Sequence, residues 1–136
     1  SVFLDGEHIR EKYNPDFLMI HSMNIDDAGH KYGSESREYR YSVRTADNLL
    51  SVFVPRWAEA GYTVIVTSDH GMSVDGMHGG KNELEAEVPF WIINDKENMK
   101  LSHRMEQVYV ASIIGYILGI DTSEMKNRAE SIYRGY

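Results

Sequence analysis

Five side chains in this sequence are of the types that bind divalent cations: Asp26, His30, Asp69, His70 and His78. Asp26 and His30 stand four residues apart in Asp26-Asp27-Ala28-Gly29-His30, so one helical turn would bring a carboxylate and an imidazole side by side. That pair offers oxygen and nitrogen to a metal such as zinc. Further on, the apolar run Val64-Ile65-Val66-Thr67 leads through Ser68 to adjacent Asp69 and His70. Two ionisable residues straight after a buried strand are costly unless paired, exposed or metal-bound. Gly71 next to them permits a positive φ and a close backbone approach. The third stretch is Met77-His78-Gly79-Gly80, eight residues beyond His70. Each stretch has an ordinary explanation when taken alone. Asp and His near glycine occur in many loops, Asp69 fits an Asx turn beside an exposed histidine, and His78 fits a flexible loop. The order of all three is the informative feature.

Their positioning requires a fold, and the composition bounds it. The chain has 136 residues, the size of one domain, with 42% hydrophobic and 26% charged residues, as in an ordinary globular protein. A net charge of −7 opposes a nucleic-acid groove, which needs a basic patch. Bound divalent ions would reverse that charge locally for a phosphate substrate. With no cysteine, disulfides and thiolate metal sites are excluded. Apolar stretches such as Val108–Ile120 are too short and interrupted to span a bilayer, and no signal peptide is visible, so compartment stays unassigned.

A helical segment precedes the turn signal Asn14-Pro15. Asp16–His21 reads as a short buried strand, and Ser22–Gly33 as a polar loop. Ser34 or Ser36 is placed to cap a long helix whose apolar positions are Tyr39, Val43, Ala46, Leu50, Val54, Trp57 and Ala60. Pro55 should kink or divide that helix and Gly61 should end it. Tyr62–Thr67 and Val88–Ile93 read as strands, with Ser68–Glu87 a long loop of the kind that is usually functional. Met105–Leu118 fits a helix ended by Gly119, and Asp121 or Thr122 should cap a last one running to about Tyr133. The expected class is therefore α/β: a layered α/β/α domain with a mostly parallel sheet. The Asp16–Thr67 unit should be a right-handed crossover, with both suspicious loops at the carboxyl edge of the sheet.

The order Asp-x-x-Gly-His, long helix, strand with Ser-Asp-His-Gly-Met, then His-Gly-Gly resembles the alkaline phosphatase superfamily. It looks most like the type I phosphodiesterase / nucleotide pyrophosphatase branch. The similarity runs from about Pro15 to Ile93 and extends through Glu106–Ile120. The resemblance implies that Asp26, His30 and His78 bind one ion while Asp69 and His70 bind a second. Both would be zinc, with manganese or magnesium as alternatives. It also implies a small phosphate-ester or nucleotide substrate. The family's upstream aspartate and its Thr or Ser nucleophile have no counterpart here, since Ser1 and Ser22 are the only hydroxyl candidates before Asp26. The expectation is therefore a single domain over 1–136, the C-terminal portion of a larger alkaline-phosphatase-like catalytic domain and inactive alone. A phosphodiesterase or pyrophosphatase is the leading reading. The compact His70–His78 spacing instead resembles phosphoethanolamine-transferring members; a sulfatase, or a non-catalytic metal-binding domain, is a further alternative. A sheet cut from its other half would expose an edge, which favours self-association.

Several residues are assigned bland roles. His21 is expected at the core or rim rather than behind a metal ligand, and His8 and His103 at the surface. Asp75 and Glu83–Glu87 read as a solvated acidic loop, and Trp57 and Trp91 as core. Lys81 is the one candidate contact to a substrate phosphate.

Overall fold

A computed structural model describes residues 1–94 and 104–126. The chain forms two compact units, Ser1–Asn94 and Asp95–Tyr136. The first contains α1 (Val2–Tyr13), α2 (Asn24–Tyr32), α3 (Arg37–Glu59), β1 (Val64–Thr67), α4 (Glu83–Ala86) and β2 (Phe90–Ile93). The second contains a 3₁₀ turn, Gln107–Tyr109, and α5 (Val110–Ile117). The expected last helix is a turn over the described 121–126, and the rest of that expectation, like His103, lies outside the described residues. No helix among the described residues is long and apolar enough to cross a membrane.

The described residues are mostly helical, and the mostly parallel sheet is not among them. β1 and β2 pair antiparallel, Val64 opposite Ile93 and Thr67 opposite Phe90. Pro89 lacks an N–H, so the ladder opens one residue later, at Phe90. Asp16–His21 is not a strand, because a ladder needs a neighbour and none lies beside it among the described residues. It keeps only the alternation of one: Phe17 and Met19 face out while Leu18 and Ile20 are half-buried. Among the described residues no parallel crossover forms as a result.

The long helix matches its sequence signals at both ends. Ser36 is its N-cap, with Oγ accepting from the Tyr39 N–H at 3.0 Å. Gly61, at φ 95°, follows the C-cap Ala60 and turns the chain into β1. Pro55 sits in the helix without dividing it, since only the last turn lies beyond it. The buried stripe departs from the expected one at three positions: Phe53 joins it, while Val43 and Ala60 are exposed. Phe53 is 4% exposed whereas Val43 is 41% exposed, so the face centres on Ala46, Leu50, Phe53 and Trp57. Trp91 also departs from expectation and lies on the open face of β2, 57% exposed.

Phe3, Phe53, Trp57 and Val64 form the core of the first unit, with Ile20, Leu50 and Ile93 packed against it. Burying each such side chain contributes roughly 1.5–3 kcal/mol. One polar device crosses this core. Glu7 is buried and accepts from Arg10 Nε at 2.8 Å and from Trp57 Nε1 at 2.8 Å, tying α1 to α3. The Arg10 bond, reinforced by the Trp57 bond and opposed by burial, holds the Glu7 carboxyl below its usual range.

A carboxylate with a lowered folded value adds stability at neutral pH that disappears as pH falls through that value. Glu7→Gln should therefore cost about 1–3 kcal/mol at pH 7, and the gap to wild type should shrink as pH drops below about 4. Urea denaturation of both proteins at pH 7 and pH 3 checks the amount and the sign.

Candidate metal centre

The Ser22–Gly33 segment, expected as a loop, contains the helix α2, and this does for Asp26 and His30 what their spacing implies. His30 Nε2 lies 3.5 Å from Asp26 Oδ2. His70, on the loop after β1, places Nε2 3.7 Å from Asp26 Oδ1, and His78 Nε2 lies 3.7 Å from the same oxygen. The His30 and His78 Nε2 atoms are 3.0 Å apart, and the His70 and His78 rings stack with centroids 3.7 Å apart. Asp26 is the hub of this cluster. One ligand atom from each of Asp26, His70 and His78 falls within 4.8 Å of the other two.

Hydrogen bonds behind the rings decide what faces the hub. His30 Nδ1 lies 2.8 Å from the Gly76 carbonyl and His70 Nδ1 lies 2.9 Å from the Gly71 carbonyl. Carbonyls only accept, so each Nδ1 donates, and a neutral ring then carries its lone pair on Nε2. Two nitrogen lone pairs thus meet a carboxylate that is itself acceptor-only. A proton on His78 Nε2 joins it to His30 but leaves Asp26 Oδ1 buried without a donor. Acceptors converging on acceptors is an arrangement that a cation completes. Donor atoms held by one zinc at about 2.0–2.2 Å stand roughly 3–4 Å apart, and the neighbouring pairs here are 3.0 Å (His30 with His78), 3.5 Å (His30 with Asp26 Oδ2) and 3.7 Å (His70 and His78, each with Asp26 Oδ1). The donor set therefore fits a divalent ion with affinity for nitrogen and oxygen.

Asp69 stands at the margin. It is 62% exposed, with Oδ2 3.6 Å from His70 Nε2 and Oδ1 accepting from the His70 N–H. His70 therefore stands between Asp26 and Asp69 rather than with Asp69 alone. Lys81 is exposed on the loop before α4. His21 lies away from the cluster, exposed, with Nε2 3.1 Å from Met23 Sδ, and lines an open groove with Asp27 and Tyr41. His8 is exposed, as expected.

What the sequence did not reveal is how α2 is fastened to the loop carrying His78. Met72 is buried against Gly29, where an added Cβ would come within 2.6 Å of its Cε. Gly76, at φ 75°, backs onto the Gly29 carbonyl with no room for a side chain. Gly71 does not take the positive φ allowed for it; its lack of a Cβ instead lets the Leu84 carbonyl approach. Tyr39, expected in the core stripe, is half-buried near the hub. Burial, and then the Asp26 charge, push its phenol above the usual range, so it stays a neutral hydroxyl at pH 7.

The family model for type I phosphodiesterase / nucleotide pyrophosphatase matches residues 2–111. The chain belongs to that family. It is accordingly a member of the alkaline phosphatase superfamily. Among curated relatives, it is similar to the GPI ethanolamine phosphate transferase 3 catalytic subunit of Homo sapiens, 32% identical over 77 residues, covering 57% of this chain and 7% of that protein. The GPI ethanolamine phosphate transferase 1 of Mus musculus is 34% identical over 78 residues, covering 54% and 8%. The corresponding protein of Saccharomyces cerevisiae is 29% identical over 142 aligned positions, covering 87% and 15%. The chain thus spans between 7% and 15% of the length of these relatives. No solved structure matches it.

Gly29→Ala should destabilise the chain by about 1–3 kcal/mol, because the new methyl overlaps Met72. Met72→Ala makes room for it, so the double variant should lose less than the sum of the two single losses. A double-mutant cycle in urea measures this, and strict additivity would contradict the contact.

Proposed function

We propose that this chain is the cation-holding, C-terminal portion of the catalytic domain of a metal-dependent ethanolamine phosphate transferase. The observation that carries the chemistry is the buried Asp26 Oδ1, without a donor, faced by the His70 and His78 imidazoles while His30 stands against Oδ2. The choice of transferase over phosphodiesterase or nucleotide pyrophosphatase rests on two supports. The three relatives reported above are named GPI ethanolamine phosphate transferases, and the short His70–His78 spacing resembles that of phosphoethanolamine-transferring members.

Asp26, His30 and His78 would hold one ion, most suitably zinc. His70, between the two carboxylates, and Asp69 would contribute to a second, completed by groups outside this chain. A divalent ion bound there supplies positive charge that polarises a phosphoryl oxygen and lowers the pKa of an attacking hydroxyl. The residues' own work is orientation. The Gly76 and Gly71 carbonyls fix which imidazole nitrogen faces inward. Asp26 supplies the negative charge that favours a cation there, and Tyr39 offers a neutral hydroxyl beside it. In the transfer itself, the phosphorus–oxygen bond to the donor alcohol breaks and one to the acceptor hydroxyl forms. The acceptor's proton leaves with the donor alcohol. The nucleophile would come from outside these residues. Lys81, exposed near His78, is the candidate contact to a phosphate oxygen.

Two experiments follow. Titrating the chain with zinc calorimetrically should show one ion bound, with Asp26→Ala and His78→Ala each weakening it at least about 10-fold; no binding by wild type contradicts the centre. In the full-length parent, mass spectrometry should show ethanolamine phosphate on an acceptor hydroxyl, lost with His70→Ala. Release of the group to water alone would return the parent to the hydrolase reading.

A further inference from the structure

Glu85 is a buried carboxylate, 9% exposed, in a loop whose composition suggests solvated charge. It is not among the groups that reach Asp26. Its bonds instead run to the chain behind two of the imidazoles. The carboxylate accepts from the Gly80 N–H and from Asn82 Nδ2, and Gly80 lies two residues after His78. Its main-chain carbonyl accepts from the Gly71 N–H at 2.8 Å, and Gly71 directly follows His70. Its own N–H donates to Asn82 Oδ1 at 3.1 Å, which caps α4 and fixes the residue's place. Both glycines are tight: a Cβ on Gly80 would meet the Glu85 carboxylate, and one on Gly71 the Leu84 carbonyl.

We infer that Glu85 is a positioning residue of the cation centre, setting the distance between His70 and His78 by holding the segment behind each. The inference rests on the proposed centre, since it concerns where that centre's donors stand. The physical reason is that His78 lies on an exposed loop with Gly79 and Gly80, which resist no displacement by themselves. A buried carboxylate demands its donors, because losing one strands a charge. Such a group is a stiff fastening where main-chain bonds alone would be loose. Outer groups that orient metal ligands are typically worth 10–100-fold in affinity.

The test uses the whole chain and two readouts: zinc affinity by competition titration, and the visible absorption of the cobalt(II)-loaded protein, which reports donor geometry. Glu85→Ala should weaken zinc about 10-fold or more and alter the cobalt bands. Glu85→Gln, which keeps one acceptor for two donors, should fall between it and wild type. Gly80→Ala pushes the same carboxylate aside and should act in the same direction, adding little to Glu85→Ala in the double variant. Circular dichroism and thermal unfolding without metal confirm that each variant folds. Should Glu85→Ala not fold, Glu85→Gln and Gly80→Ala carry the comparison. Unchanged zinc affinity and cobalt spectrum in the folded variants overturn the inference while leaving the centre intact. If wild type binds neither metal, the centre itself fails and the inference falls with it.

Discussion

Everything at the centre depends on one electrostatic constraint: a carboxylate oxygen, Asp26 Oδ1, is held out of water without a hydrogen-bond donor and faced by the His70 and His78 imidazoles. Burying such an oxygen without a donor costs free energy, which a positive charge at the same point would recover. The tautomers chosen by the Gly76 and Gly71 carbonyls add to that demand, since they turn lone pairs inward as well. The cluster is thus organised by what stands behind the imidazoles as much as by the imidazoles themselves.

The scaffold serves this arrangement through contacts that exclude side chains. α2 approaches the 72–77 loop closely because Gly29 and Gly76 lack a Cβ, and Met72 fills the space left beside them. α2 in turn packs on α3, whose first turn carries Tyr39. The far end of α3 is secured by the Phe3–Phe53–Trp57 stack and by Glu7, which bonds both Arg10 and Trp57. Asn94 closes the unit by donating to the Ala58 and Tyr62 carbonyls, joining the end of β2 to the end of α3. Asp26 and His30 are therefore mounted on a packed helix, whereas Asp69, His70 and His78 lie on the loop that follows β1.

Features set by local chemistry were legible in the sequence. Ser36 as a cap, Gly61 as a stop and the adjacency of Asp26 and His30 all follow from spacing and side-chain type. The convergence of the separate motifs was legible through the family resemblance, and the structure brings Asp26, His70 and His78 together. The failures concern what a residue meets elsewhere. Asp16–His21 has the alternation of a strand, but pattern alone does not supply a neighbouring strand. Trp91 has the composition of a core residue and lies on a face that nothing in the first unit covers. Glu85 looked like a solvated charge because its donors, Gly80 N–H and Asn82 Nδ2, are invisible until the loop folds back. The family resemblance pairs His70 with Asp69, and in space His70 lies beside Asp69 and is a neighbour of Asp26 as well.

The central claim is that the imidazoles face Asp26 with nitrogens prepared for a cation, and their protonation pattern can be read directly. Long-range ¹H–¹⁵N NMR of the histidine side chains, recorded before and after zinc addition, distinguishes Nδ1 from Nε2 in each ring. The account predicts that His30 keeps its proton on Nδ1 throughout and that zinc shifts the Nε2 resonances of His30 and His78. Histidine spectra that zinc leaves unchanged, or a His30 ring protonated on Nε2 in the loaded protein, would contradict it.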